Sequence, residues 1–381
     1  MAKQNVKNVV LPHSQAKLDL YKSYLQKYLP ILTLAKGISK INIYDIFCGS
    51  GVYEDGNIGS PLIAVECVRK TNELMEQNNW ATKPIALSIN DGEKGKIDNI
   101  KSLFKEVNIR NLFPAFFNLD ADEMLDKAIF EVNNFSHRER NLVFIDPYGY
   151  SHIDKEKILR LLKNGRTEIV LFLPVMHMYR FSEIAILDIE RKCYDDLRKF
   201  INDFLPNQSF DSVFDFINAL TKAFSFGGDY FSCSHYIERG KGNYYAIFFI
   251  TPHIYGLERM LEVKWKADPS KGKGFLKDDW GLFEELRVEY NKAIQLEYLK
   301  GLIVQSMRNS AKGLSNIDLY RLALTNEFLP KHANQILKEM RKEKKLLTTD
   351  NNGTLKDFGN ATYIDFEHFK KNEIVIAFKL K

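Results

Sequence analysis

Ile43-Tyr44-Asp45-Ile46-Phe47-Cys48-Gly49-Ser50-Gly51 is the stretch on which the reading of this chain turns. The apolar run Ile41–Phe47 is too short for a helix and meets a glycine pair, so it predicts a buried strand ending in a sharp turn. Such a turn brings backbone N–H groups close to a nucleotide-like ligand at the carboxyl end of a strand. A third glycine at the dinucleotide spacing is missing, which argues against a nicotinamide cofactor. An ordinary βα turn without a ligand is the plain alternative.

Outward from that turn the rhythm repeats. Ile85–Ile89, Ala115–Asn118, Leu142–Ile145 and Ile169–Leu173 are further short apolar runs, with helix-length stretches such as Pro61–Met75 and Asp122–Asn133 between them. Strands alternating with helices predict βαβ units and a parallel sheet. Residues 178–225 break the rhythm with a helix-rich insertion. Phe231–Glu238 and Tyr244–Thr251 then flank a Gly-rich turn and predict an antiparallel hairpin. Upstream, residues 14–36 carry apolar side chains at helical steps, and Pro30 is expected to kink or end that helix.

The 381 residues suggest two or three domains, and 45% hydrophobic content is enough for a real core. The net charge of +5 is modest, so its distribution matters more than its total. The four cysteines show no metal-ligand spacing and read as reduced thiols, and no segment resembles a signal core or a membrane span. A soluble, cytoplasmic protein is expected, in three parts: a helical extension over 1–40, an α/β domain over 41–290, and a small domain over 296–381.

Three more strand ends carry candidate chemistry. Asp91 closes the second strand, where an acid accepts ribose hydroxyls; a solvated strand-end acid is the alternative. Asp120 and Asp122 follow the third strand, and Asp120 is the preferred candidate. Asn141-Leu142-Val143-Phe144-Ile145-Asp146-Pro147-Tyr148-Gly149-Tyr150 ends the fourth strand at the topological switch point.

Taken together these residues resemble known enzymes. The first turn resembles motif I of class I methyltransferases, and a parallel sheet closing on an antiparallel hairpin is their Rossmann-like layout. The resemblance implies S-adenosyl-L-methionine as cofactor, held by Asp45, Phe47, Gly49, Ser50, Gly51, Asp91 and Asp120. Asp146-Pro147-Tyr148 is similar to the (D/N/S)-P-P-(Y/F) motif of amino-methyltransferases. There the acid accepts from an exocyclic amine and the aromatic stacks on the base. Here Tyr148 replaces the second proline and Gly149 the aromatic.

Over about residues 10–290 the chain resembles the three-Cys-motif partner proteins (TcmP), a bacterial and phage group with a methyltransferase-like fold. The residues that carry this are His13-Ser14-Gln15-Ala16-Lys17, Tyr24-Leu25, Asp45–Gly51, Gly59-Ser60-Pro61-Leu62, Phe144–Gly149 and Tyr244–Trp265. The resemblance implies a radical-S-adenosylmethionine-like partner protein bearing three cysteines. Cys48 stands where alanine is more usual; one cysteine without a nearby histidine is weak evidence for a nucleophile. His13 and Lys17 share one helical face, which either reaches the mouth of the site or is solvated, the solvated face being the leading reading.

The last segment changes character. Leu314–Leu324 reads as a helix with Ser315 as N-cap, and Lys331–Leu347 as a second, amphipathic helix. Its inner face is Ala333, Ile336, Leu337 and Met340; its outer face carries Lys331, Lys338, Arg341, Lys342, Lys344 and Lys345. Leu346–Thr349 and Thr362–Phe366 predict a β-wing around Asn351-Asn352-Gly353. That order is a winged helix-turn-helix, which points Lys338, Arg341, Lys342 and Lys345 at nucleic acid, DNA or RNA. A small packing domain is the alternative. A second basic segment, Lys264–Lys277, is flexible by composition and either orders on phosphates or stays solvated. The expected function is methylation of an amino group on a nucleic-acid base; the rival is a non-catalytic module bridging nucleic acid to a partner enzyme.

Overall fold

The structure, a computed structural model, describes residues 11–147, 149–240, 242–275 and 284–381. It divides into two compact units. One takes the described residues up to His253 together with Phe275; the other takes Ile254–Gly274 and the described residues from 284 on.

The first unit is built on β1 (Lys40–Asp45), β2 (Ile85–Asn90), β3 (Leu112–Phe117), β4 (Glu139–Ile145), β5 (Thr167–Leu173), β6 (Phe231–Gly240) and β7 (Asn243–Thr251). These seven lie in the order β3-β2-β1-β4-β5-β7-β6. The first five are parallel, and β7 enters antiparallel to both β5 and β6. This is a Rossmann-like α/β fold of the methyltransferase layout, as expected. The parallel strands read as continuous apolar runs because helices cover both faces: every residue of β5 is buried.

Helices α2 (Ser60–Gln77), α3 (Lys94–Phe104), α4 (Ala121–Asn134) and α5 (Lys155–Leu162) make the crossovers. The insertion supplies α6 (Val175–Leu187), α7 (Asp195–Phe204) and α8 (Val213–Ala223), whose apolar faces join the core under α4 and α5. Helix α1 (Pro12–Leu34) runs on past Pro30 to Leu34, so the proline does not end it. Its aromatic face lies on the opposite side of the sheet: Tyr21 stacks on Phe144 at 4.3 Å, and Tyr24 meets Phe249 at 4.8 Å. The Lys83 ammonium donates to Leu32 O at 2.9 Å and to Ala35 O, satisfying carbonyls at the end of α1.

The second unit begins with α9 (Ile254–Ala267); the two-residue β8 (Gly274–Phe275) follows, with Gly274 in this unit and Phe275 in the first. It continues with α10 (Glu284–Arg308), β9 (Leu314–Ser315), α11 (Asn316–Thr325), α12 (Pro330–Lys342), β10 (Leu346–Thr349), α13 (Phe366–Lys371) and β11 (Ala377–Leu380). Ser315 caps α11 through a reciprocal box with Asp318. The inner face of α12 is Ala333, Ile336, Leu337 and Met340, as its spacing predicts. The partner of β10 differs from expectation. Thr362–Phe366 forms no strand, and Tyr363 has a left-handed φ of 55°. Ala377–Leu380 pairs with β10 and with β9, giving a small antiparallel sheet in the order β10-β11-β9.

Candidate active site

The site lies at the carboxyl ends of β1, β2 and β4, where the order reverses around β1. Gly49 and Gly51 take positive φ, 65° and 79°. A Cβ on Gly51 would stand 2.9 Å from Ile100 Cγ1, so a side chain there is excluded by packing as well as by conformation. The loop that follows folds back on itself, with Gly59 N–H donating to Gly51 O at 2.7 Å and Tyr53 N–H to Asn57 O at 2.9 Å. Neighbouring strand ends are laced together: Asn90 donates to Ile46 O and Leu119 O, and accepts from Leu119 N–H at 3.0 Å.

A cavity of about 370 Å³ opens beside this turn. Of the residues expected at the site, it brings together Phe47, Gly49, Ser50, Gly51, Asp91, Asp146 and Pro147. Asp91 is buried and also ties the turn: its oxygens accept from Gly49 N–H at 3.1 Å and Glu93 N–H at 2.9 Å, with the Lys96 ammonium 3.5 Å away. Asp45 lies beneath the cavity, fully buried, and neither carboxylate oxygen has a hydrogen-bond partner of ordinary geometry. Burial pushes its pKa up to about 7; the Ser60 hydroxyl opposes the shift and Asp146 adds to it.

One expected residue falls elsewhere, and one is not described. Asp120 is exposed and caps α4, accepting from Glu123 N–H at 2.8 Å; a helix-capping role, and not a cavity wall, is what its position provides. Tyr148 lies outside the described residues. Cys48 is buried and its thiol is held well above the usual range by burial, so it is no activated nucleophile.

The largest departure concerns α1. Lys17 is not on a solvated face: it is 8% exposed and forms an ion pair and hydrogen bond with Asp146 Oδ2. Burial pulls its pKa down, but the charge and hydrogen bond of Asp146 outweigh that, so it lies above the usual lysine value. The ammonium also sits 4.7 Å above the Phe172 ring. Phe172 stacks on Tyr245 at 5.2 Å and 5°, and Tyr245 on His13 at 5.8 Å and 14°. Arg239 donates to the Tyr245 hydroxyl at 3.1 Å. Burial, with Arg239 and Lys17 adding repulsion, pushes His13 down to about 4. Sequence reasoning missed Phe172, Arg239 and Tyr245. The period of two was the available signal, since it places Phe172 and Tyr245 on the same sheet face as Phe144.

The second unit holds the basic candidates. Lys331, Lys338, Lys342, Lys344 and Lys345 are exposed, Lys345 pairing with Glu343 at 2.7 Å. Arg341 is committed inward: it donates to Gly359 O and Ala361 O and stacks on Phe378 at 5.2 Å. The second basic segment is also structural where described. Lys264 is buried against Glu327, and the Asp268 carboxylate accepts from Ser270, Lys271, Lys273 and Gly274 backbone N–H groups. Lys277 lies outside the described residues. Among the described residues no helix is long and apolar enough to cross a membrane.

No known family and no curated protein matches the chain. Among solved structures it is similar to protein LPL1258 of Legionella pneumophila, of the DUF519 family: 11% identical, covering 66% of this chain and 90% of that one, TM-score 0.36. It is similar to the O-methyltransferase from Bacillus cereus in complex with SAH: 14% identical, 64% and 83% covered, TM-score 0.33. Loganic acid methyltransferase with SAH is 12% identical, with 79% and 92% covered and a TM-score of 0.30. Likenesses this distant say nothing about chemistry, which rests on the site itself.

Proposed function

We propose that the first unit is an S-adenosyl-L-methionine-dependent methyltransferase acting on an amino group of a nucleic-acid base. One observation carries the reading: a single cavity at the switch point holds both the glycine turn and Asp146–Pro147. Its volume of about 370 Å³ falls in the range of small-molecule sites. The residues fit the cofactor. Gly49 and Gly51 leave the backbone approachable, Asp91 offers carboxylate lone pairs for ribose hydroxyls, and Asp45 lies buried at the end of β1 beside Ser60. When bound, the cofactor supplies an electrophilic methyl group. Asp146 orients the acceptor amine by accepting its N–H, which leaves the nitrogen lone pair free to face the methyl group. The methyl group would pass to the acceptor nitrogen, whose surplus proton would go to water while Asp146 holds the remaining N–H.

The second unit, in this reading, is a winged helix whose exposed lysines meet phosphates, and a radical-S-adenosylmethionine-like three-Cys-motif protein is the partner that the resemblance implies. A non-catalytic bridging module is the second reading, favoured by the chain's own Lys17 sitting on Asp146.

The test is calorimetry with S-adenosylmethionine and its demethylated product, followed by radiolabelled methyl transfer to total bacterial DNA, RNA and nucleosides. Asp146→Ala should lower transfer by about a hundredfold or more while cofactor affinity holds. Wild-type protein that binds cofactor and nucleic acid yet labels nothing establishes the bridging reading instead.

A further inference from the structure

Asp146 lines the cavity with a carboxylate of two oxygens. Oδ2 is taken by the Lys17 ammonium; among the described residues nothing engages Oδ1. Lys17 is not a loose surface cation that yields easily. Its side chain is 11% exposed, it is held over the Phe172 ring, and Phe172 is braced in turn by the Tyr245 and His13 rings. Withdrawing it would leave a desolvated ammonium and a desolvated carboxylate, each uncompensated. The carboxylate therefore meets an incoming acceptor already neutralised by its own chain.

We propose that Lys17 is a built-in counter-ion that determines acceptor class: the pocket takes a neutral amino group, donating N–H to Asp146 Oδ1, and turns away cationic amines. This rests on the methyltransferase reading above. A protonated alkylamine would bring a second positive charge to a carboxylate that already carries one, and the two cations would repel across it. A neutral amino group conjugated to a ring asks only for an acceptor oxygen, which Oδ1 supplies without displacing Lys17. Lys17 thus acts through Asp146 as a positioning residue.

The test needs no known acceptor. Sinefungin carries an ammonium-bearing carbon where S-adenosylmethionine carries its methyl-bearing sulfur, and S-adenosylhomocysteine carries neither group. Their affinity ratio therefore reports how much free negative charge faces the methyl position. Wild type should bind the two with near parity. Lys17→Met should favour sinefungin by about tenfold, or about 1.4 kcal/mol, and adding Asp146→Asn should restore parity. Lys17→Arg, which keeps the cation, should stay near parity and guards against a misfolded Lys17→Met. Both ligands binding with a ratio that Lys17→Met leaves unchanged, or a wild type that already favours sinefungin tenfold, overturns the proposal and spares the cofactor reading. Wild type binding neither ligand removes the cofactor reading and this proposal together.

Discussion

The two units treat charge in opposite ways. In the first, the groups around the cavity are pulled out of water: Asp45, Asp91 and Lys17 are all buried. In the second, five lysines of one short segment stand exposed on and just beyond α12, while its one arginine turns inward onto backbone carbonyls and Phe378. A desolvated charge interacts strongly and locally; an exposed one interacts weakly, over a distance set by salt. The first arrangement suits chemistry on one small group, the second a repetitive, highly charged partner. Substitutions in the two units should therefore differ in size and in what they respond to.

The largest effect is expected at Asp45. Its folded pKa of about 7 lies above that of an unfolded aspartate, near 4, so the folded protein holds the extra proton between those values. The wild type's stability at Asp45 is then full below about pH 4 and lost as pH rises through 7. Asp45→Asn removes the titration. Chemical denaturation from pH 4 to 8 should show wild type losing up to about 4 kcal/mol relative to the variant. Parallel curves would mean that Asp45 is not desolvated as described, and the contrast between the units would weaken.

Gly51 comes next. Alanine there meets both the positive φ and Ile100, so about 2–3 kcal/mol should be lost. Ile100→Ala in the same chain should recover part of it, since it removes the clash and leaves the backbone strain. A double variant no better than Gly51→Ala would assign the whole cost to φ. The smallest effect on stability belongs to Lys338, Lys342, Lys344 and Lys345 changed together to glutamine, within about 0.5 kcal/mol in thermal melts. If these lysines meet phosphates, the log–log salt slope for DNA or RNA should fall by about one for each phosphate no longer neutralised. Arg341→Gln should do the reverse, costing stability while leaving that slope alone.

Much of the fold was legible because burial writes itself into short apolar runs. β4 and β5 were found within a few residues, and β10 to the residue, since Leu346–Thr349 is bounded by lysines and a turn. The strand completing the small sheet was misplaced for a physical reason. Thr362–Phe366 has strand-like composition, but the hydrogen-bonding partner of β10 is β11, and the apolar run Ile374–Phe378 leading into it was there to be read. At the site, the glycine turn and Asp146 were visible because motif and strand end coincide. Lys17 was not, because a lysine at helical spacing reads as solvated, and only the fold shows that its neighbour 129 positions on is a carboxylate.

The packing of α1 has a consequence in time. Tyr24 and Lys17 rest against Phe249 and the Tyr245 stack, more than two hundred residues later in the chain. At a synthesis rate of 5–20 residues per second, α1 waits roughly ten to fifty seconds for those partners to leave the ribosome. During that interval the part of its face that meets β7 is uncovered, and any nascent chain stalled before the hairpin displays it. Helix α1 is thus made well before the last of its partners, which makes the chain at that stage a natural client for a chaperone and any fragment ending before β7 prone to stick to its neighbours.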